Sequence, residues 1–203
     1  MFVGFELSHA AAQSLYDRQN ATAVKEPTVV GFSYSVGEPS DYSGCWWYQQ
    51  PRLHIIQYMT KYFSRAFTAY HKNNRRLPSE VYVYRSGTSE GEFPEVVEEA
   101  SEIRKAAETM RNLNDGRPYR PKITVVVAQT NSNYRILPAS LPAVDPRDRT
   151  RYRAQDLNVP SGTCADTVIV HPRYREFIMT SQQANIVLPF LGKFRFICKI
   201  WIN

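Results

Sequence analysis

Arg85-Ser86-Gly87-Thr88-Ser89-Glu90-Gly91-Glu92-Phe93 lies between the β-prone run Val81-Tyr82-Val83-Tyr84 and a long stripe of apolar residues, Phe93, Val96, Val97, Ala100, Ile103, Ala107 and Met110. Three- and four-residue steps describe one face of a helix, so the segment reads as strand, glycine turn, helix. Glu92, Glu95, Glu98, Glu99 and Glu102 crowd the first half of that helix and Arg104, Lys105 and Arg111 its second. The helix dipole favours this order, which is ordinary helix design and requires no acidic site. Asn114-Asp115-Gly116 and Pro118 stop the helix before Lys122–Ala128, a continuous apolar run that reads as a strand buried on both faces. Strand, helix, strand implies a crossover and a parallel pair.

Working outward, Phe2–Leu7 and Thr28–Val36 are β-prone runs separated by a polar stretch, and Trp46-Trp47-Tyr48 suggests a third strand. From Leu53 onward Ile55, Ile56, Met59, Tyr62, Phe63, Ala66, Phe67 and Tyr70 give an aromatic helical stripe ending near Lys72–Arg76. Thr167–Val170 and Glu176–Thr180 read as two more strands around His171-Pro172. The polar stretch from Pro138 to Gly162 reads as a surface loop, its Arg147, Arg149, Arg151 and Arg153 offset by Asp145, Asp148 and Asp156; solvated charge is the simpler reading than a phosphate site. No internal repeat or heptad pattern is found.

At 203 residues, with 43% hydrophobic and 22% charged residues, the chain is long and apolar enough for one domain with a core, which excludes a disordered class. A net charge of +6 suits polyanions such as nucleic acid and equally suits plain solubility. Cys45, Cys164 and Cys198 are odd in number and far apart, which fits neither a disulfide framework nor a C-x-x-C motif. A reducing compartment, the cytoplasm or the nucleus, is expected. No secretory leader opens the sequence, and Asn20-Ala21-Thr22 reads as a chance sequon. The apolar window Ile186–Ile202 is broken by Lys193, Arg195 and Lys199, which argues against membrane insertion.

Several segments, in order, resemble the PIWI domain of the Argonaute/PIWI family. Arg85 to Phe93 is similar to its Y-R-D-G-x-S-E-G-x-F signature with the acidic residue replaced, and Gly4-Phe5-Glu6-Leu7-Ser8-His9 to its G-x-D-V-T-H. Pro27–Phe32 looks like the P-S-I-A-A-V strand and Pro51–Gln57 like the R-Q-E-I-I-Q that opens a helix. Pro121–Gln129 with Asn133-Tyr134-Arg135 resembles P-x-I-T-F-I-V-V-Q and its trailing N-x-R. Asn158–Thr163 with Asp166-Thr167, then His171-Pro172 and Phe177–Ser181, resemble N-x-P-x-G-T-x-x-D and T-H-P-x-x-x-x-F-x-L-x-S-H. The matches run over about residues 2 to 185, so residues 1–185 are expected to form the PIWI domain and 186–203 a divergent apolar and basic tail.

The resemblance implies an α/β, RNase H-like fold, a mixed sheet flanked by helices, that lays a guide RNA and its paired target across a basic channel. Slicing members hold two metal ions with an Asp, Glu, Asp, His tetrad. Hard dications ~3.5–4 Å apart need several anionic oxygens. Carried over position by position, the tetrad falls on Glu6, His54, Ser86 and Gln182, and all four depart from it. Glu6 keeps the charge and marks the old site, since an acidic side chain in an apolar strand either meets a solvated cleft or pairs with a cation. Ser86 reads as a hydroxyl closing the glycine turn, and His54 as a partly buried histidine at a helix start. The chain is therefore expected not to be an enzyme, with no cofactor and no bound metal.

RNA contact, by guide or guide–target duplex, requires only donors and positive charge. The resemblance places it at Gln129, Asn131, Asn133 and Arg135, where family members carry a more basic run, and His171, Arg173 and Arg175 are further phosphate candidates. Met1 falls on the first PIWI strand, so the N, PAZ and MID domains, and with MID most of the guide 5′-phosphate pocket, are expected to be absent. The G-T-S-R-P run is replaced after Asn185, so the fold is expected to be truncated C-terminally. The tail reads either as an edge strand, Phe194, Phe196, Cys198 and Ile200 alternating with basic residues, or as sequence without a structural role. Two other readings stand beside non-slicing RNA binding: a module docking tryptophan-bearing silencing proteins, and a fragment without independent activity.

Overall fold

The computed structural model describes residues 1–20, 23–38, 40–110, 116–129, 134–140, 158–182 and, for the backbone alone, 191–200. The chain divides into two compact units, Met1–Val127 with Ile197–Asn203, and Ala128–Phe196.

In the first unit β1 (Phe2–Ser8), β2 (Thr28–Ser35), β3 (Tyr42–Gln49), β4 (Glu80–Ser86) and β5 (Lys122–Gln129) follow the order β3-β2-β1-β4-β5. β1 pairs antiparallel with β2, Phe5 opposite Phe32, and β2 antiparallel with β3. β1 and β4 run parallel, Val3 beside Val83. This is the expected mixed sheet. A short helix, α1 (Leu15–Gln19), capped by the Ser14 hydroxyl on the Asp17 amide, interrupts the β1–β2 connection, where no helical pattern was expected.

Period-two alternation decides which face is dry. Val3, Phe5, Val30, Phe32, Tyr34, Trp47, Val81 and Val83 are buried on one side. Against them pack α2 (Met59–Asn74), through Met59, Phe63, Ala66 and Phe67, and α3 (Phe93–Thr109), through Val96, Ala100, Ile103 and Ala107. Phe63 sits at the centre, its ring 6.4 Å from Phe5 and 5.2 Å from Phe32, while Trp47 stacks on Tyr62 at 3.8 Å. Such aromatic pairs add to the burial of their area. Ile123, Val125, Val126 and Val127 are all buried, so β5 is covered on both faces as its unbroken apolar run requires.

Three expectations are corrected. The stripe from Leu53 does not start the helix there: α2 begins at Met59, behind Tyr58 in the left-handed region at φ 65°. Residues 53–57 instead follow an irregular, non-helical course fixed by buried polar side chains, which override local helical periodicity. Thr167–Val170 is no strand; Val168 has φ 63° and is fully exposed, and the strand is the shorter β6 (Cys164–Ala165). Glu99, put down with its neighbours to ordinary helix polarity, is 2% exposed and has a role of its own.

In the second unit β7 (Glu176–Thr180) pairs antiparallel with β6 and with the Leu191–Arg195 part of β8 (Leu191–Ile200), Cys164 opposite Met179 and Phe177 opposite Phe194. The tail forms a strand in its backbone, though one flanked on both sides in the sheet order and not the edge strand expected; the loop arginines 147–153 lie outside the described residues.

Candidate functional site

Glu6 and Ser86 come together. They lie on the neighbouring parallel strands β1 and β4, and the Ser86 hydroxyl donates to Glu6 Oε1 at 3.2 Å. Glu6 is exposed on the open side of the sheet, in line with the expected solvated cleft. Ser86 thus does more than close the turn; the turn belongs to Gly87, whose φ of 69° a residue with a Cβ adopts only with strain.

His54 lies in the irregular segment before α2, not at a helix start, and its side chain is 54% exposed rather than partly buried. Three buried side chains from three elements fix that segment. Gln49 Nε2 donates to the carbonyls of Leu53 and Ile55, and its Oε1 accepts from the Gln57 amide. Arg85 donates to the His54 carbonyl at 3.0 Å, and Glu99 Oε1 accepts from the Ile56 amide at 2.9 Å. Arg85 Nε and Glu99 Oε2 form an ion pair at 3.1 Å with 3% and 2% of their side chains exposed. Burial pushes the Glu99 carboxyl above its ordinary range, opposed by Arg85 and the Ile56 amide.

His54 Nδ1 meets Glu92 Oε1 at 2.8 Å. Glu92 closes a capping box, its Oε2 accepting from the Ser89 amide at 2.7 Å while Ser89 accepts in return. Burial raises the Glu92 carboxyl, but the two Ser89 hydrogen bonds and the positive charges of His54 and Arg85 outweigh it and hold the carboxyl below its ordinary range. The His9 ring lies 5.1 Å from that of His54. His9 Nδ1 is 2.9 Å from Thr28 Oγ1, which also accepts from the Arg52 amide. The fully buried Thr28 hydroxyl therefore needs an acceptor for its own proton, which assigns Nδ1 as acceptor and Nε2 as the protonated nitrogen of neutral His9. Desolvation, then His54, Arg52 and Arg85, lower the His9 pKa. The roles of His9, Gln49, Glu92 and Glu99 were not read from the sequence; the capping-box spacing Ser89-x-x-Glu92 was the available signal for one of them.

Gln182 belongs to the second unit and is exposed. Gln129 ends β5, and Arg135 is exposed with its guanidinium donating to the Tyr134 carbonyl. Asn131 and Asn133 lie outside the described residues. His171, Arg173 and Arg175 share one exposed turn before β7, ordered by the Arg173 amide on His171 Nδ1 and by the buried Glu176 carboxylate accepting from the His171 amide. The Tyr174 ring sits 4.3 Å from that of His171. That turn offers donors and charge, the requirements of phosphate contact.

A pair of magnesium ions does not fit the donor set. Of the positions the resemblance maps, Glu6 alone carries a carboxylate, already accepting from Ser86, while His54 is engaged by Glu92. Among the described residues no three His, Cys, Asp or Glu side chains converge as a metal site. Nor is any helix among them long and apolar enough to cross a membrane.

Comparison with known proteins agrees with the sheet order. The chain is 34% identical over 181 residues to the Nuclear RNAi defective-3 protein of Caenorhabditis elegans, covering 89% of this chain and 16% of that protein. Protein argonaute 18 of Oryza sativa subsp. japonica is 35% identical over 136 residues, 66% of this chain and 11% of that one. The fold matches the C-terminal lobe of a budding yeast Argonaute with a TM-score of 0.76 at 20% identity, over 98% of this chain and 38% of that chain. It matches the Kluyveromyces polysporus Argonaute with a guide RNA equally well, over 23% of that chain. The chain therefore spans only a small part of the length of these relatives. Its mixed sheet flanked by helices is the RNase H-like fold of the Argonaute PIWI lobe, and since the Piwi domain family matches residues 1–187, the chain belongs to that family.

Proposed function

We propose that this chain is a Piwi domain that binds RNA, as guide or guide–target duplex, in small-RNA-guided silencing, and that it does not cut its target. The observation that carries the reading is the Glu6–Ser86 hydrogen bond: where a slicer would set two carboxylates side by side, one is a hydroxyl held by the other. A single carboxylate cannot balance two dications. RNA contact is supported by the names of the relatives and by the exposed turn bearing His171, Arg173 and Arg175. Such a role belongs in the cytoplasm or the nucleus.

The test is binding of the purified chain to labelled single-stranded and duplex RNA across a salt series, with a thermal melt on the same sample. Affinity that falls steeply with salt, and falls further in Arg173→Ala/Arg175→Ala, is expected. A folded protein that ignores RNA overturns RNA binding, and magnesium-dependent cleavage abolished by Glu6→Ala overturns the non-cutting part. Failure to melt cooperatively would mark a fragment without independent activity. Docking of silencing-complex proteins is the second reading, favoured by the exposed aromatic residues Trp46, Tyr48 and Tyr84 on the open face of the sheet.

A further inference from the structure

We infer that the open face of the first unit's sheet holds a binding groove for an arginine side chain of a protein partner, with Glu6 as its counter-ion and Trp46 and Tyr84 as its walls. The inference rests on the docking reading just given and names its ligand.

Register builds the groove. Across β1, β2 and β3, Glu6 stands opposite Gly31, and Gly31 opposite Trp46; on the other side Gly4 stands beside Tyr84 of β4. All of these lie on the side of the sheet away from α2 and α3, because they alternate with buried Val3, Phe5, Val30, Phe32, Trp47 and Val83. Two glycines thus form the floor where side chains would otherwise fill the space, and a Cβ built on Gly31 would meet nothing within 4 Å. Large aromatics rise on either side, Trp46 62% and Tyr84 41% exposed. The depression so formed has a volume of about 580 Å³.

Charge selects the occupant. Glu6 is the one charged residue among those lining the groove. The Ser86 hydroxyl engages Oε1 and leaves Oε2 without a hydrogen bond among the described residues. Phosphate is disfavoured by that carboxylate, and a purely apolar side chain would leave it desolvated and unpaired. A cation paired with Glu6 gains from the carboxylate and from stacking on the Trp46 face in the same register row. Guanidinium suits this better than ammonium: it is planar, stacks on aromatic faces, is weakly hydrated, and presents several donors at once to a carboxylate. The position where the resemblance implies metal ions is thereby fitted in this chain to an organic cation.

The experiment titrates the chain with a short arginine–glycine peptide, its lysine–glycine counterpart, a neutral tryptophan–glycine peptide and oligouridine, by calorimetry. The arginine peptide is expected to bind, and Trp46→Ala, Glu6→Gln and the floor-filling Gly31→Val each to weaken it about tenfold while the thermal melt stays cooperative. The lysine peptide should bind less well. Arginine binding that survives Glu6→Gln and Gly31→Val overturns the inference. If the tryptophan peptide alone binds, and does so through Trp46, the docking reading holds and the arginine inference fails; if no peptide binds, both fail. Oligouridine lost in Trp46→Ala and unaffected by Glu6→Gln would make the face a base-stacking platform and likewise overturn it.

Discussion

Arg85 and Glu99 meet at 3.1 Å almost wholly out of water, and between them they hold the carbonyl of His54 and the amide of Ile56. A charged pair from β4 and α3 thus serves as the anchor for a segment that belongs to neither. The Arg85 guanidinium also lies 5.6 Å from the centre of the Phe5 ring, so it is packed as well as paired.

Removing one partner of a buried pair leaves the other charge uncompensated. Arg85→Met and Glu99→Gln are each expected to cost about 3–5 kcal/mol in urea unfolding. The double variant should cost clearly less than their sum, because the second substitution removes the orphan created by the first. Additive losses would show that the two side chains act independently.

The Glu6–Ser86 bond makes a second prediction. In Ser86→Asp two carboxylates share the site, so one folded-state pKa rises. A raised carboxyl pKa contributes stability below its unfolded value that is lost as pH rises through the folded one. Melts of Ser86→Asp should therefore fall relative to the starting chain between pH 4 and pH 7, and magnesium should recover part of the loss. Cleavage of a guide-paired target should not appear, since His54 stays engaged by Glu92 and supplies no anionic oxygen.

His9 has its pKa lowered from 6.5. For a histidine held neutral, the stabilising contribution is fully present above the unfolded pKa and is lost as pH falls through the folded value. The melting temperature is therefore expected to drop between pH 7 and pH 5, and His9→Asn should flatten that part of the profile. An unchanged profile in the variant would remove His9 from the acid response. His9 is only half-buried, so the effect is small beside that of the buried pair.

Ser89→Ala breaks the capping box that closes the turn after β4. About 1 kcal/mol of stability should be lost in equilibrium unfolding. Because the Glu92 amide loses the Ser89 hydroxyl that accepts from it while the Ser89 amide still donates to the carboxylate, the Glu92 side chain should be held less firmly, and the His54 ring resonances should shift by NMR at fixed pH; a cap acting on the helix alone would leave them unmoved.

The local order of strands and helices was legible because periodicity and glycine placement are short-range properties: Val81–Tyr84, the stripe from Phe93 and the run Lys122–Ala128 all lie in the elements they suggested. So was the solvated setting of Glu6, since an acid alternating with Val3 and Phe5 must face away from the core. The segment 53–58 was not, because its conformation is imposed by Gln49, Arg85 and Glu99, residues 4 to 43 positions away whose hydrogen bonds exist only after the strands and α3 have assembled. Nor could alternation alone show that Trp46, Gly31, Glu6 and Tyr84 share one groove, since four strands must first fall into register. The sequence by itself determined the succession of strand, glycine turn, helix and strand from Val81 to Ala128 and the outward setting of Glu6. The tertiary structure alone decided which polar groups meet, because a hydrogen bond between residues 80 apart, such as Ser86 to Glu6, depends on strand pairing that no local pattern encodes.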